Sequence, residues 1–483
     1  MKTIKIVFLI LYITCSTKLF SQVWDNMDGG FTGTDSFNLQ NTTSGLRKII
    51  PYNNKIIVTG HFLNASNTVL SNTAQWDGVH WQSMGVGIWS EISYPTAYGL
   101  NLVDYNNKVY VMGSFEGVAG AYHYDTTHYA SRISKWDGLD WQPLTPPDPG
   151  PVYSGFNSIA TSATVYHNNL YIGGGFSYAF DSSGLHPAFG MARWNDTVFS
   201  NCGTFFSNNS SGNFHQRAGV VYNNKLIVGG FFNSIDSSPF GYYGYVAAYN
   251  DTVWSTLSTG LNNTVYALTV FNGELFAGGC FTATGSSVPV NYVSKWDGIQ
   301  WLPVGEGLND TVWSLSVDSV NNKLIAGGAF TQTGLGLTAK HLAEWNGTNW
   351  VEVGGGADDI VTAIYAKDSN LYIGGYFTHV GNGIPANAIA RWGPSHVGVD
   401  DISASSTTMQ LEIYPNPSNG EFTIESTSKI ESVKVFNLLG ETIYQTTKDN
   451  LQSTINLSSQ PKGIYFVQVK TEKGILNRKI VIQ

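Results

Sequence analysis

Residues 264–301 read TVYALTVFNGELFAGGCFTATGSSVPVNYVSKWDGIQW. The run from Thr264 to Phe271 is β-branched and aromatic, which suits a strand, and Asn272-Gly273 is a tight-turn dipeptide. The next strand carries Gly278-Gly279 and is followed by Phe281. A loop leads to a third strand ending at Trp296. Asp297-Gly298 then turns the chain again, and a fourth strand starts near Trp301. The stretch is a four-stranded meander.

The same meander recurs on both sides. Aromatic pairs five residues apart mark the copies: Trp76/Trp81, Trp136/Trp141, Trp194/Phe199, Tyr249/Trp254, Trp296/Trp301 and Trp345/Trp350. Trp392 is followed by Gly393-Pro394 and has no partner downstream. Near the start, however, Trp24-Asp25-Asn26-Met27 matches Trp81-Gln82-Ser83-Met84. A seventh copy split between the two ends makes sense only in a closed ring, with a repeat of about 53 residues. Strand two carries Gly173-Gly174, Gly229-Gly230, Gly278-Gly279, Gly327-Gly328 and Gly374-Gly375, while the first two copies keep only Gly60 and Gly113. Phe62, Phe115, Phe176, Phe232, Phe281, Phe330 and Phe377 each follow two residues later. Glycine there removes side chains where backbones approach closely. The expected fold is all-β, a seven-bladed β-propeller closed by the N-terminal strand.

Apolar residues, Gly-Gly and then a spaced aromatic resemble kelch or galactose-oxidase-type propeller repeats over about 370 residues. Phe after Gly-Gly and the Trp-Asp-Gly-x-x-Trp hairpin depart from the kelch pattern. Closure by an N-terminal strand resembles the WD-repeat arrangement and would remove an exposed sheet edge.

The 483 residues carry 25 Lys/Arg and 34 Asp/Glu. Within 22–402 the balance is 14 basic to 27 acidic, a surface that repels phosphate backbones and argues against nucleic acid. Lys2 and Lys5 precede the apolar run 6–13, which reads as a secretory signal peptide over 1–21 cleaved after Ser21. The run is shorter than a membrane span needs. Of the cysteines left after cleavage, Cys202 and Cys280 fall at different strand positions and read as free thiols.

After a linker at 395–408, residues 409–483 hold short strands such as 411–414, 433–436 and 464–469, the pattern of a small Ig-like β-sandwich. Three blocks, Tyr414-Pro415-Asn416-Pro417-Ser418-Asn419-Gly420, Gly463-Ile464-Tyr465 and Lys479-Ile480-Val481-Ile482, resemble the type A C-terminal sorting domain of the type IX secretion system of Bacteroidetes. The resemblance assigns the sorting motif to Pro415, Asn416, Pro417, Gly420, Gly463, Tyr465 and Lys479. It implies the secretion machinery as partner and export through the periplasm to the cell surface or beyond.

In an up-and-down meander, connections two–three and four–one share one face. Those connections are long here, at 87–98, 116–129, 146–156, 177–189, 203–215 and 233–245, while the opposite face has short turns. Variable loops on a rigid scaffold are where function concentrates. The candidate binding face therefore carries Trp89, Tyr94, Tyr98, Tyr122, Tyr124, Tyr129, Tyr153, Tyr178, Phe180, Phe240, Tyr242 and Tyr243, aromatics that stack on sugars and proteins alike. His123, Asp125 and His128 form a weak metal pattern, outweighed by chance clustering, so no metal or cofactor is assigned. A copper-radical oxidase needs a Tyr–Cys grouping, which the two cysteines do not offer by position. Arg132, Arg193 and Arg391 lie on third strands, away from any shared centre. Asp-Thr-Val at 196–198, 251–253 and 310–312 resembles O-glycosylation acceptors, and turn chemistry accounts for the first two equally well.

The leading reading is a secreted, non-catalytic glycan- or protein-binding module without a transmembrane helix in the mature chain. The alternative is a carbohydrate-active hydrolase or lyase using loop carboxylates such as Glu91, Asp125, Asp148, Asp181 and Asp236.

Overall fold

The structure, a computed structural model, describes residues 22–32, 45–65, 68–90, 97–118, 130–144, 154–202, 206–207, 214–235, 244–394, 411–437, 441–471 and 474–483. The expected signal peptide and linker lie outside these residues. The chain divides into two compact units, Met1–Pro394 and Ser395–Gln483. Regular structure among the described residues is entirely β, and no helix there is long and apolar enough to cross a membrane.

The first unit is propeller-like. Seven four-stranded antiparallel sheets follow the repeat among the described residues. Their first strands are Gly45–Tyr52, Tyr98–Tyr105, Ala160–Tyr166, His215–Tyr222, Val265–Phe271, Val312–Asp318 and Val361–Lys367. Each packs beside the first strand of the next repeat, and Val361–Lys367 packs beside Gly45–Tyr52. The last of these sheets takes its fourth strand, Gln22–Asp25, from the other end of the unit. Trp24 lies opposite Trp392 and Asp25 opposite Arg391.

Local chemistry explains the hairpins. Asn53-Asn54, Asn106-Asn107 and Asn223-Asn224 all sit at positive φ, the conformation that two-residue turns between twisted strands require. At the outer hairpin, Asp77 accepts the amides of Val79 and His80, and Asp297 those of Ile299 and Gln300, all at 2.8 Å. The following Gly78 and Gly298 adopt φ of 108° and 101°. This turn sets Trp296 directly opposite Trp301, with ring centroids 5.5 Å apart. The Trp-Asp-Gly-x-x-Trp signature is therefore a hairpin device.

Every first strand carries a β-bulge close to its start, between Leu46 and Lys48, Gly99 and Asn101, Ala160 and Ser162, Gln216 and Ala218, Val265 and Ala267, Val312 and Ser314, and Val361 and Ala363. The bulge accounts for the glycine kept in all seven copies. A Cβ on Gly279 would meet the carbonyl oxygen of Thr264 at 2.1 Å, and one on Gly60 would meet that of Gly45 at 2.2 Å. The first glycine of the pair answers to the neighbouring sheet instead. A Cβ on Gly278 would strike Val312, and one on Gly374 would strike Leu46. Where the first copy carries Thr59 at this position, the facing residue is Gly99. Bulk has moved across the interface.

In the second unit, strands Leu411–Tyr414, Glu421–Phe436, Thr442–Asn456, Gly463–Thr471 and Gly474–Ile482 join in one sheet. Hydrogen bonding is continuous through all five strands. The 16-residue strand pairs with Leu411–Tyr414 through its first half and with Gly463–Thr471 through its second. A bridge between Ser418 and Ile482 brings the edges together, enclosing Phe422, Ile424, Val433, Val435, Ile455, Val467, Val469 and Ile480. The three sorting blocks converge there. The Asn416 side chain donates to the Lys479 carbonyl at 2.8 Å and accepts the Val481 amide at 2.9 Å. Gly463 lies opposite Ile482, and Tyr465 opposite Ile480. Gly420 takes a φ of 102° with its Cα against Ser458.

Candidate functional site

A bulge re-aims the residue that it leaves unpaired, and bulges collect beside functional sites. The seven unpaired residues are Arg47, Leu100, Thr161, Arg217, Tyr266, Trp313 and Thr362. All seven line one cavity of about 190 Å³, together with Lys48, Asn101, Ser314 and other residues of the same first strands. Because each bulge falls near the start of its strand, the cavity belongs to the end of the strands fed by the long connections.

Two of the seven serve the scaffold. The Thr161 hydroxyl donates to the Gln216 carbonyl and that of Thr362 to the Leu46 carbonyl, each tying adjacent first strands together. Asn101 does the same through the Thr161 carbonyl at 3.3 Å. Of the other five, Leu100 is apolar, while Arg47, Arg217, Tyr266 and Trp313 make a basic and aromatic lining. Arg47 donates to the Tyr376 hydroxyl and lies over the Tyr376 ring, 4.9 Å from its centroid. The Nε of Arg217 is buried and has no hydrogen-bond partner among the described residues, and neither has the indole nitrogen of Trp313. Tyr266 stacks on Trp313 with centroids 4.2 Å apart.

Electrostatically the cavity is one-sided. Its lining holds Arg47, Lys48 and Arg217 and no carboxylate among the described residues. Burial lowers the pKa of Lys48. It does the same to Arg217, with Tyr266 opposing the shift and the like charge of Arg47 reinforcing it. Burial raises the pKa of Tyr266, the neighbouring Cys280 adds to the rise, and Arg217 counters it. The Cys280 thiol donates to the Thr264 carbonyl at 3.8 Å. Both described cysteines are free, Cys202 buried and Cys280 half-buried. The described residues contain no group of three or more His, Cys, Asp or Glu placed to hold a metal ion.

Of the aromatics chosen from the sequence, Trp89, Tyr98, Tyr178 and Phe180 are described. Tyr98 opens the second repeat's first strand and is half-buried there. The indole of Trp89 lies against Gly117, where a Cβ would come within 2.2 Å of it. Tyr178 is exposed and packs on Phe189 at 6.1 Å, and Phe180 is half-buried in the same strand. Tyr94, Tyr122, Tyr124, Tyr129, Tyr153, Phe240, Tyr242 and Tyr243 lie outside the described residues, as do His123, Asp125 and His128. Arg47, Lys48, Arg217, Tyr266 and Trp313 were not singled out in the sequence.

Among the loop carboxylates, Asp181 is described and is structural. It is fully buried, accepts from Ser183 at 2.7 Å and from the Phe199 amide at 2.5 Å, and pairs with His186 at 3.0 Å. Burial alone would raise its pKa, but Ser183, Phe199 and His186 outweigh that and hold it below the usual carboxylate range. Its hydrogen bonds thus tie Asp181 to Ser183, His186 and the Phe199 amide within the scaffold. The remaining four, Glu91, Asp125, Asp148 and Asp236, lie outside the described residues. Arg132 pairs with Glu116 at 3.2 Å, Arg193 donates to Ser200 at 3.0 Å and Arg391 pairs with Asp25 at 2.5 Å, none of them in the cavity lining.

The family described as the secretion system C-terminal sorting domain matches residues 412–483. The tail of a type IX secretion substrate is therefore present, and the chain is exported to the cell surface or secreted. No curated protein matches the chain. Among solved structures, it is similar to PorZ, a surface component of the type IX secretion system of Porphyromonas gingivalis, at 13% identity over 91% of this chain and 70% of that one, with a TM-score of 0.38. It is similar to the WD40 β-propeller domain of Doa1 at 11% identity over 76% and 96%, TM-score 0.42. It is also similar to the extracellular domain of a hybrid two-component system from B. thetaiotaomicron at 12% identity over 94% and 52%, TM-score 0.45.

Proposed function

We propose that residues 22–394 form a seven-bladed propeller of kelch-like repeats, closed by the strand around Trp24, that acts outside the cell as a non-catalytic glycan- or protein-binding module. Export runs from a signal peptide at 1–21 through the periplasm and then by the tail at 409–483. The observation that carries the binding reading is the cavity at the long-connection end of the seven first strands. Its lining is rich in donors and aromatic faces, the groups that fix a ligand's orientation. The loop face around it, including Trp89, Tyr98 and Tyr178, supplies the surrounding contacts.

Two experiments test this. Deleting 409–483 is expected to trap the protein in the periplasm, and normal appearance outside the cell would refute the export route. Incubating the full chain with a glycan array and with surface-protein extracts is expected to give saturable binding without turnover. Sustained release of new reducing ends from a polysaccharide would replace the module reading with the hydrolase or lyase.

A further inference from the structure

We propose that the cavity is a recognition site for an oxyanion carried on a pyranose ring, the carboxylate of a uronic acid or a sulfate ester. The inference rests on the binding-module reading and names the ligand class for that site.

Three cations share this cavity. Residues 22–402 hold only 14 basic side chains against 27 acidic ones, yet Arg47, Lys48 and Arg217 line the same 190 Å³ with no carboxylate beside them among the described residues. Like charges gathered away from water are costly unless something pairs with them. Elsewhere in this unit the described arginines find acids or hydroxyls, as Arg132 does with Glu116 and Arg391 with Asp25. Arg217 instead leaves its Nε buried and unpartnered. A guanidinium fork is matched to planar or tetrahedral oxyanions, which accept two parallel hydrogen bonds from it.

The rest of the lining specifies a ring. Tyr266 and Trp313 line the cavity as a stacked aromatic pair, and the Trp313 indole nitrogen is buried without a partner among the described residues. Aromatic surfaces beside a polar group suit a ligand with one apolar face and one charged edge. The volume is below the ~300–1,000 Å³ of pockets that hold drug-sized ligands. One sugar-sized group therefore enters, as the end or a single unit of a longer glycan.

Calorimetric titration of the full chain with tri-galacturonic acid, galactose 6-sulfate and neutral galactotriose tests the proposal. Saturable binding of either acidic probe, with the neutral trimer at least about tenfold weaker, is the expected result. Which acidic probe binds identifies carboxylate or sulfate as the group. Arg217→Met should weaken that binding about tenfold or more while leaving the melting temperature unchanged or higher, because a buried donor without a partner has been removed from beside the like charge of Arg47. If Arg217→Met melts lower, Lys48→Met, read the same way, supplies the affinity comparison. Equal affinity for acidic and neutral probes overturns the proposal, as does unchanged affinity in both variants. Binding of other array ligands with none of these acids overturns this inference alone. No ligand of any class would overturn the module reading as well.

Discussion

The indole of Trp24 packs against that of Trp392 at a centroid distance of 5.1 Å and donates to the carbonyl of Gly354 at 2.7 Å. It thereby joins the N-terminal strand to two successive repeats. Trp350 does the same for the repeat before it, donating to Val304 at 3.1 Å, so the pairing of Gln22–Asp25 with Ile389–Pro394 uses ordinary repeat chemistry. Trp24 is buried, and truncating a buried Trp costs about 3–5 kcal/mol. Trp24→Ala should lower the unfolding free energy in urea by that amount, with exposed Ile299→Ala near zero. A loss below about 1 kcal/mol would mean that this strand is dispensable.

The exchange of bulk between Thr59 and Gly99 predicts a rescue at the other seam. A Cβ on Gly374 would approach Leu46 at 2.9 Å, so Gly374→Thr should destabilise through overpacking by about 1–3 kcal/mol. Adding Leu46→Gly recreates the Thr59–Gly99 arrangement. The double mutant should then be more stable than the sum of the two single changes by about 1–3 kcal/mol. Additive losses in denaturant titrations would show that the two sites are not coupled.

Much of this architecture is legible because it is local. Trp-Asp-Gly-x-x-Trp states its own hairpin, and Asn-Asn its own turn. The glycine kept at Gly60 and Gly113, where the pair is incomplete, already marks the more constrained position. The cavity is harder to read. Its residues occupy a column thirteen places before that glycine in six of the repeats, at Arg47, Leu100, Thr161, Arg217, Tyr266 and Thr362. Nothing in any single strand marks a bulge there, and Arg217 resembles a solvated residue until seven strand ends are brought together. Loop aromatics drew the sequence reading outward, and Asp181 looked available because its partners His186 and Phe199 lie on other strands. The edge-to-edge closure of the tail through Ser418 and Ile482 likewise depends on long-range pairing, which no short window contains.

His167 should titrate above its ordinary range. It is exposed, bonded to Asn224 at 3.1 Å and to Asp251 at 2.5 Å, and these partners, Asn224 first, raise its pKa above 6.5. A pKa raised by folding adds stability that is fully present below about 6.5 and fades as pH climbs through the folded value. An NMR titration of the imidazole should show an inflection above 6.5 that moves down in Asp251→Asn. An inflection unmoved by that change would remove Asp251 as a cause.

Cys202 should be inert in the folded chain. It is buried near Tyr171, Tyr249 and Phe206, and desolvation pushes its thiol pKa up to about 12, with Arg193 opposing the shift. Reaction needs the thiolate, so at pH 8 an aromatic disulfide reagent should modify Cys202 only on unfolding. Rapid labelling under native conditions would contradict its burial.

Asn416 should hold the end of the tail in place. Its amide satisfies the Lys479 carbonyl and the Val481 amide together, next to the bridge from Ser418 to Ile482. Each such hydrogen bond contributes roughly 1 kcal/mol net, so Asn416→Ala should cost about 1–3 kcal/mol in unfolding of residues 411–483. Asn416→Asp keeps the acceptor for Val481 but loses the donor to Lys479, and should fall between wild type and alanine. Amide exchange at Val481 separates the two effects: protection should drop in the alanine variant and persist in the aspartate one. Equal protection in both would show that the strand is held by its pairing with Gly463–Thr471 alone.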